Sequence, residues 1–109
     1  MSGNARRNAD DFMLRASKAF ARNKLQSAYE LYGDAVAEYG RCDEAPRDRV
    51  ALAWYTRAML AINGDAVGDV AEDLEKGEAA VAEDFDQAER FRGLFACARA
   101  GWRRSTRPA

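Results

Sequence analysis

Apolar side chains recur every three or four positions along most of this chain, which is the spacing of one face of an α-helix. The pattern predicts five helices, over about residues 9–22, 25–39, 49–62, 66–82 and 85–103. Very short turns make consecutive helices run antiparallel and pack side by side. The chain is therefore predicted to be all-α and to consist of antiparallel helical hairpins.

Residues that favour turns and helix ends separate the predicted helices. Residues 23–24 form a short turn, and Gly40 follows the second helix, where a glycine often ends a helix. Asp48 and Asp84 are predicted to cap the third and fifth helices, because a carboxylate accepts hydrogen bonds from the first backbone amides of a helix. The run Asn-Gly-Asp at 63–65 is a tight-turn signal before the fourth helix.

The first two hairpins share one pattern at an offset of 42 residues. Arg15, Ala16 and Ala19 recur as Arg57, Ala58 and Ala61, and the register continues from Ala28, Tyr32 and Ala35 to Val70, Leu74 and Gly77. The opening pattern returns 35 residues later as Arg92, Gly93 and Ala96. The chain is thus predicted to contain about two and a half copies of one helical hairpin.

Small side chains at the repeated position predict close contacts between helices. Ala16, Ala58 and Gly93 are expected where a first helix crosses its neighbours, since two backbones approach closely only over small side chains. The arginine before each is expected to lay its aliphatic stem along the helix groove, with its head group in water or on a carboxylate. A row of arginines that binds a ligand is the alternative.

At these residues the chain resembles the tetratricopeptide repeat, a family of stacked helical hairpins. The stretches FMLRASKAFARNKLQSAYELYGDA and WYTRAMLAINGDAVGDVAEDLEKG carry the aromatic and small residues that the family places on its contact faces. The resemblance implies one domain over 9–104, built from two repeats and a C-terminal capping helix (9–40, 48–82 and 85–104). Residues 1–8 and 105–109 are expected to be flexible ends.

Residues 8–63 also resemble a microtubule-interacting and trafficking domain, which is a three-helix bundle. The stretch KAFARNKLQSAYELYGDAVAEY matches its first two helices, and the longer loop before the third helix fits that family better. This second resemblance implies binding of short helices from membrane-remodelling filament proteins. The two further helices and the repeat register through residue 77 favour the tetratricopeptide repeat instead.

The tetratricopeptide resemblance implies a concave peptide-binding groove along the odd-numbered helices. Eight residues placed by alignment form this predicted groove: Met13, Ser17, Phe20, Tyr55, Met59, Ile62, Arg90 and Leu94. Only Arg90 among them is basic, so the carboxylate clamp that some members use for chaperone tails is absent. The groove is apolar and carries methionines, which suits a helical or extended segment of a partner protein.

The predicted function is therefore a protein–protein interaction adaptor. Two alternatives stay open. In one, the chain's own terminal helix fills the groove. In the other, the groove is buried in a homodimer or a larger complex in which the chain is a structural subunit. A core and a binding groove use the same residue types, so the apolar pattern alone does not separate these cases.

Charge is unevenly distributed, although the net charge is only −1 over 109 residues. Residues 65–89 hold ten acids and one lysine, whereas residues 90–109 hold six arginines and no acid. Solvated helix faces are the plain interpretation. A basic contact with an acidic partner, with a membrane surface or, less readily, with nucleic acid is the alternative for Arg99, Arg103, Arg104 and Arg107, and pairing with the acidic stretch is a third.

Residues that carry catalysis or bind metals are scarce. The chain has no histidine, and neither of its two cysteines lies in a metal-binding spacing. The stretch GDAVG lacks the lysine of a phosphate-binding loop. The chain is predicted not to be an enzyme and to bind no cofactor or metal. With no apolar run of membrane-spanning length and reduced cysteines, a cytoplasmic location is expected.

Overall fold

In the computed structural model, which describes residues 2–83 and 85–106, the chain folds into five helices. They are α1 (Ser2–Ala21), α2 (Leu25–Tyr39), α3 (Arg47–Ile62), α4 (Val70–Ala80) and α5 (Ala88–Thr106). No strand occurs among those residues, so the all-α prediction is confirmed. The arrangement as repeats of one hairpin remains a prediction.

The first helix begins earlier than the sequence pattern suggested. Residues 1–8 were expected to be flexible, but α1 is helical from Ser2. Ala5 and Ala9 are both buried, and they extend the buried face formed further along by Ala16 and Ala19. Their spacings of four, seven and three residues keep all four on one side of a helix, so burial of alanines lengthens α1 towards its start.

Two predicted helix starts are wrong by a few residues. The third helix starts at Arg47 with Pro46 at its N-cap position, so Asp48 lies in the first turn instead of capping it. The fourth starts at Val70 and not at 66, because the Asp69 carboxylate caps it by accepting a hydrogen bond from the Glu72 amide at 3.0 Å. Residues 66–69 belong to the connection before α4.

The fifth helix is displaced relative to the prediction of 85–103. It begins at Ala88, directly after Gln87, whose φ of 74° lies outside the helical range. It continues through Thr106, so part of the predicted flexible tail is helical. Asp84, the predicted cap, and Arg107 both fall outside the described residues.

Each helix packs on its neighbours through one of three apolar clusters. The α1 and α2 helices pack together and α2 packs on α3, with Tyr29 and Leu60 in the shared cluster. The α3, α4 and α5 helices share a second cluster around Leu74 and Phe95. A third cluster joins the middle of α1 to the end of α2 around Tyr39. Together they place α3 at the centre of the fold.

The small residues predicted at helix contacts divide into two groups. Ala16 and Ala58 are completely buried, in agreement with the prediction for close contacts. Gly93 is exposed, and a methyl group added there would meet no atom within 4 Å, so the third predicted contact is wrong. The physical reason is that α5 turns Phe91 and Phe95 towards α3 and α4, which leaves Gly93 on its outer face.

A hydrogen-bonded group ties α1, α2 and α3 together at one end. The Tyr39 hydroxyl donates to the Asp10 carboxylate at 2.6 Å, and the Arg49 guanidinium donates to the same oxygen at 2.8 Å. The two helices run in opposite directions, since Ala9 of α1 packs with Tyr39 at the end of α2, whereas Ala19 packs with Ala28 near its start. The bond from Tyr39 is the main reason why the pKa of the Asp10 carboxyl is lowered.

This group makes stability fall at high pH. Burial, and then the hydrogen bond to Asp10, raises the pKa of Tyr39 from 10.0 to about 12. Between these values the unfolded chain ionises at this tyrosine while the folded chain does not, so the free energy of unfolding declines as pH rises. Urea unfolding from pH 8 upwards should show a shallower decline in Tyr39→Phe than in the natural chain. Burial also raises the pKa of Tyr29 and Tyr32, so the stability of Tyr39→Phe should still decline somewhat as pH rises. Equal slopes of unfolding free energy against pH in the two proteins would contradict this prediction.

Candidate functional site

The structure divides the predicted groove residues between core and surface. Four of them gather on the second apolar cluster, where each is partly buried: Tyr55, Met59, Ile62 and Leu94. Met13 packs against the other two clusters instead. Ser17, Phe20 and Arg90 are exposed, with Phe20 48% accessible. Peptide binding on this face remains a prediction.

A different concave surface lies between α2, α3 and α4, and we call it the α2–α4 groove. It consists of two cavities of about 560 and 570 Å³ that share Val36, Gly40 and Trp54. None of the eight residues of the sequence-predicted groove lines either cavity. The structure therefore adds a candidate site that the repeat alignment did not indicate.

The floor of this groove is one stripe of α3. Val50, Trp54 and Arg57 follow each other at spacings of four and three, so they share one face of the helix. Val50 and Trp54 are each half-buried, which leaves part of their apolar surface accessible. The floor thus offers an aromatic ring and a branched aliphatic side chain to a ligand.

The α2 and α4 helices form the walls of the groove. Small residues on both walls leave the space between them unfilled by side chains. On α2, Gly33, Ala37 and Gly40 share one face at spacings of four and three. On α4, Ala79 and Ala80 face the same space. The sequence pattern marked Gly40 only as a helix end, and the repeat register did not single out the other small residues of these walls.

Arg57 braces the groove by contacting both walls. Its guanidinium lies 3.9 Å from the centre of the Tyr29 ring and donates to the Tyr29 carbonyl oxygen at 3.3 Å, both on α2. The same guanidinium donates to the Asp73 carboxylate on α4 at 3.1 Å. Gly33 makes this arrangement possible, because a methyl group there would overlap the guanidinium. One side chain of α3 thereby sets the positions of α2 and α4.

Tyr29 completes the brace from the α2 side. Its hydroxyl donates to Asp73 at 2.7 Å and accepts a hydrogen bond from the Asp69 amide at 3.2 Å. Burial, followed by the bond to Asp73, raises the pKa of the Tyr29 phenol. The neighbouring Gly68 leaves room for the ring, since an added methyl group would overlap it. Asp73 is only 1% exposed, and its charge is met by both Arg57 and Tyr29.

The arginines that repeat in the sequence have three different surroundings. Arg15 is exposed and lies 3.7 Å from Asp11 on its own helix, whereas the Arg57 side chain is 18% exposed and forms the brace. Arg92 donates to the carbonyl oxygens of Val81 at 2.6 Å and Ala82 at 3.4 Å, just after α4. The three therefore do not form a row on one surface.

Acidic side chains dominate the rim of the α2–α4 groove. Six acids line it, namely Glu30, Asp34, Asp43, Glu44, Glu72 and Glu83, against the three bases Arg47, Arg57 and Lys76. Two of the bases are already paired, since Arg57 contacts Asp73 and Arg47 contacts Glu83 at 2.7 Å. The potential over the groove is therefore negative.

Comparison with known proteins identifies no family for this chain. No protein-family model, curated protein or solved structure matches this chain. Across residues 2–83 and 85–106, no helix has the length and apolarity to cross a membrane, and no group of three His, Cys, Asp or Glu side chains could hold a metal ion. The functional interpretation accordingly depends on the geometry and charge of the groove itself.

The basic residues of α5 pair partly within the chain. Arg99 holds Glu78 of α4 with two hydrogen bonds, at 2.8 and 2.5 Å, and this contact lowers the pKa of the Glu78 carboxyl. Arg103 and Arg104 are exposed, and Arg107 lies outside the described residues. Arg99 thus follows the expectation that the basic segment pairs with the acidic stretch.

Proposed function

We propose that this chain is a protein-interaction module that binds a segment of a partner protein in the α2–α4 groove. The observation that carries the proposal is a pair of adjoining cavities that share Trp54, with Val50 and Trp54 on the floor, small residues on the walls and a charged rim. Protein interfaces have the same organisation, with aromatic or aliphatic anchors at the centre and polar residues around them.

The length of the groove sets the size of the segment. Its α2 wall runs from Tyr29 to Gly40, which spans about 16 Å at the helical rise per residue. That length accommodates about three turns of a helix, or about five residues of extended chain. Trp54, shared by both cavities, lies where the central side chain of such a segment would be seated.

The brace described above supports binding rather than collapse of the groove. Because Arg57 links Tyr29 and Asp73, the two walls are held at a fixed separation before any ligand arrives. A site that is already in its binding conformation loses little conformational entropy on association, and this favours affinity. The function therefore draws on the same contacts that stabilise the fold.

Filling the groove should abolish binding without unfolding the chain. Ala37 and Ala79 are exposed wall residues on opposite sides, so the double variant Ala37→Gln/Ala79→Gln adds bulk to the groove with little expected change in stability. We expect twelve-residue peptides selected on the natural chain from a random phage-displayed library to lose at least tenfold in affinity for this variant, as measured by fluorescence anisotropy.

The matched control is Ala71→Gln/Ala96→Gln, which makes the same chemical change at two exposed positions outside the groove. The selected peptides should bind this variant as tightly as the natural chain. If they bind the groove variant equally well but lose affinity for Phe20→Glu, the groove predicted from sequence is the site and the α2–α4 proposal is wrong. A library that yields no groove-dependent binder also overturns it.

A further inference from the structure

Acidic side chains stand at both ends of the α2–α4 groove, with the apolar floor between them. Glu30, Asp34 and Glu72 surround the end near Arg57, and Asp43 and Glu44 lie at the end near Val50. All five acids are exposed, and none has an ion-pair partner within 4.0 Å among the described residues. The only lining base outside an ion pair there is Lys76.

We infer that the segment held by this groove is a basic amphipathic one, with an apolar side chain on Trp54 and a lysine or arginine towards each acidic end. The inference rests on the proposed function, and it adds the chemistry of the partner. Charge complementarity carries it, because like charges at an interface are strongly disfavoured whereas opposite charges speed association and fix the register.

The spacing of the acids sets the spacing of the basic residues in the ligand. The two acidic groups stand at the ends of a groove whose α2 wall, from Tyr29 to Gly40, is about 16 Å long. A helical ligand would span this length with basic residues about ten positions apart, and an extended ligand with basic residues about five apart. In both forms the apolar anchor lies midway between them.

The random twelve-residue peptides selected above provide the first test. Those that lose affinity for Ala37→Gln/Ala79→Gln are the groove binders, and their sequences should be enriched in lysine and arginine relative to the starting library. The tightest of them, resynthesised with glutamate in place of each lysine and arginine, should bind at least tenfold more weakly. The difference in affinity between the basic peptide and its glutamate version should shrink as salt rises from about 0.05 to 0.5 M, because added ions screen exposed charges.

Variants of the chain assign this effect to particular acids. We expect about threefold to tenfold lower affinity for the basic peptide in each of two variants, Glu30→Gln/Asp34→Asn and Asp43→Asn/Glu44→Gln. The affinity for the glutamate-substituted peptide should not fall in either variant. The matched control Asp65→Asn/Glu75→Gln removes two exposed acids outside the groove and should change neither affinity.

Different failures have different meanings. Groove binders with no excess of basic residues, or glutamate peptides that bind as well as basic ones, overturn the inference and leave the proposed function intact. The absence of any groove-dependent binder overturns both. Sedimentation equilibrium could instead reveal a salt-sensitive dimer of the chain that is lost in both acid-neutralising variants. That result would assign the groove to the basic α5 of a second copy, and it would overturn the inference of a separate basic partner.

Discussion

Replacing Arg57 by alanine is expected to lower the free energy of unfolding by about 3–5 kcal/mol, because it leaves a buried carboxylate without its cation. Asp73 is 1% exposed and accepts hydrogen bonds from Arg57 and Tyr29. Without Arg57, only the Tyr29 hydroxyl would remain to meet that charge. Urea unfolding followed by circular dichroism at neutral pH measures the loss.

The matched control is the arginine at the equivalent position of the first hairpin. The Arg15 side chain is 56% exposed and, within residues 2–83 and 85–106, interacts only with Asp11 and the Phe12 ring, so Arg15→Ala should change stability by less than about 0.5 kcal/mol. The double variant Arg57→Met/Asp73→Leu should recover at least half of the loss, since it removes both charges together. If Arg57→Ala and Arg15→Ala lowered the free energy of unfolding equally, Arg57 would not link α2 and α4 in the way described.

Replacing Gly77 by valine is expected to destabilise the chain by about 2–3 kcal/mol through overpacking between α4 and α5. Gly77 is buried, and a methyl group added there would overlap the Phe95 ring. That ring is 1% exposed and packs edge-on to Tyr55 with 5.6 Å between ring centres, so it cannot move aside without disturbing the second apolar cluster. Thermal unfolding compared with the natural chain gives the measurement.

The control for Gly77 is a glycine with open space around it. Gly93→Ala should raise the free energy of unfolding by about 0.5–1 kcal/mol, because alanine favours a helix more than glycine does and meets no neighbour here. If Gly77→Val were harmless, or if Gly93→Ala destabilised, the packing of α5 described above would be wrong.

The sequence was sufficient for the features that depend on local pattern. Helical periodicity gave the all-α class, and the pattern of small residues correctly marked Ala16 and Ala58 as buried contacts. Both follow from the spacing of side chains along a single helix, which a sequence displays directly. The same logic failed at Gly93, because the orientation of α5 is decided by Phe91 and Phe95.

Features that depend on contacts between distant segments could not be predicted in this way. Residues 66–69 looked helical, but Gln26 holds the Val67 backbone with two hydrogen bonds, at 2.7 and 3.3 Å, and Tyr29 accepts from the Asp69 amide. These bonds join residues about 40 positions apart, so they override a local preference that is worth little by itself.

The α2–α4 groove was missed for the same reason. Its floor and its walls come from three helices, and each contributes a stripe that also looks like ordinary packing or an ordinary solvated face. The pairing of Arg57 with Asp73 was not readable either, since three arginines share the repeated position and only Arg57 contacts a buried carboxylate. The expected contact with a carboxylate is present for Arg15 and Arg57.

Titration of the ¹⁵N-labelled chain with the tightest selected peptide, followed by amide chemical shifts, tests the central claim most directly. We expect the largest shifts at Gly33, Ala37, Gly40 and Ala79 and at the Trp54 indole, all of which line the α2–α4 groove. Largest shifts at Ser17, Phe20 and Met59, with the groove residues unmoved, would contradict the account and return the binding site to the odd-numbered helices.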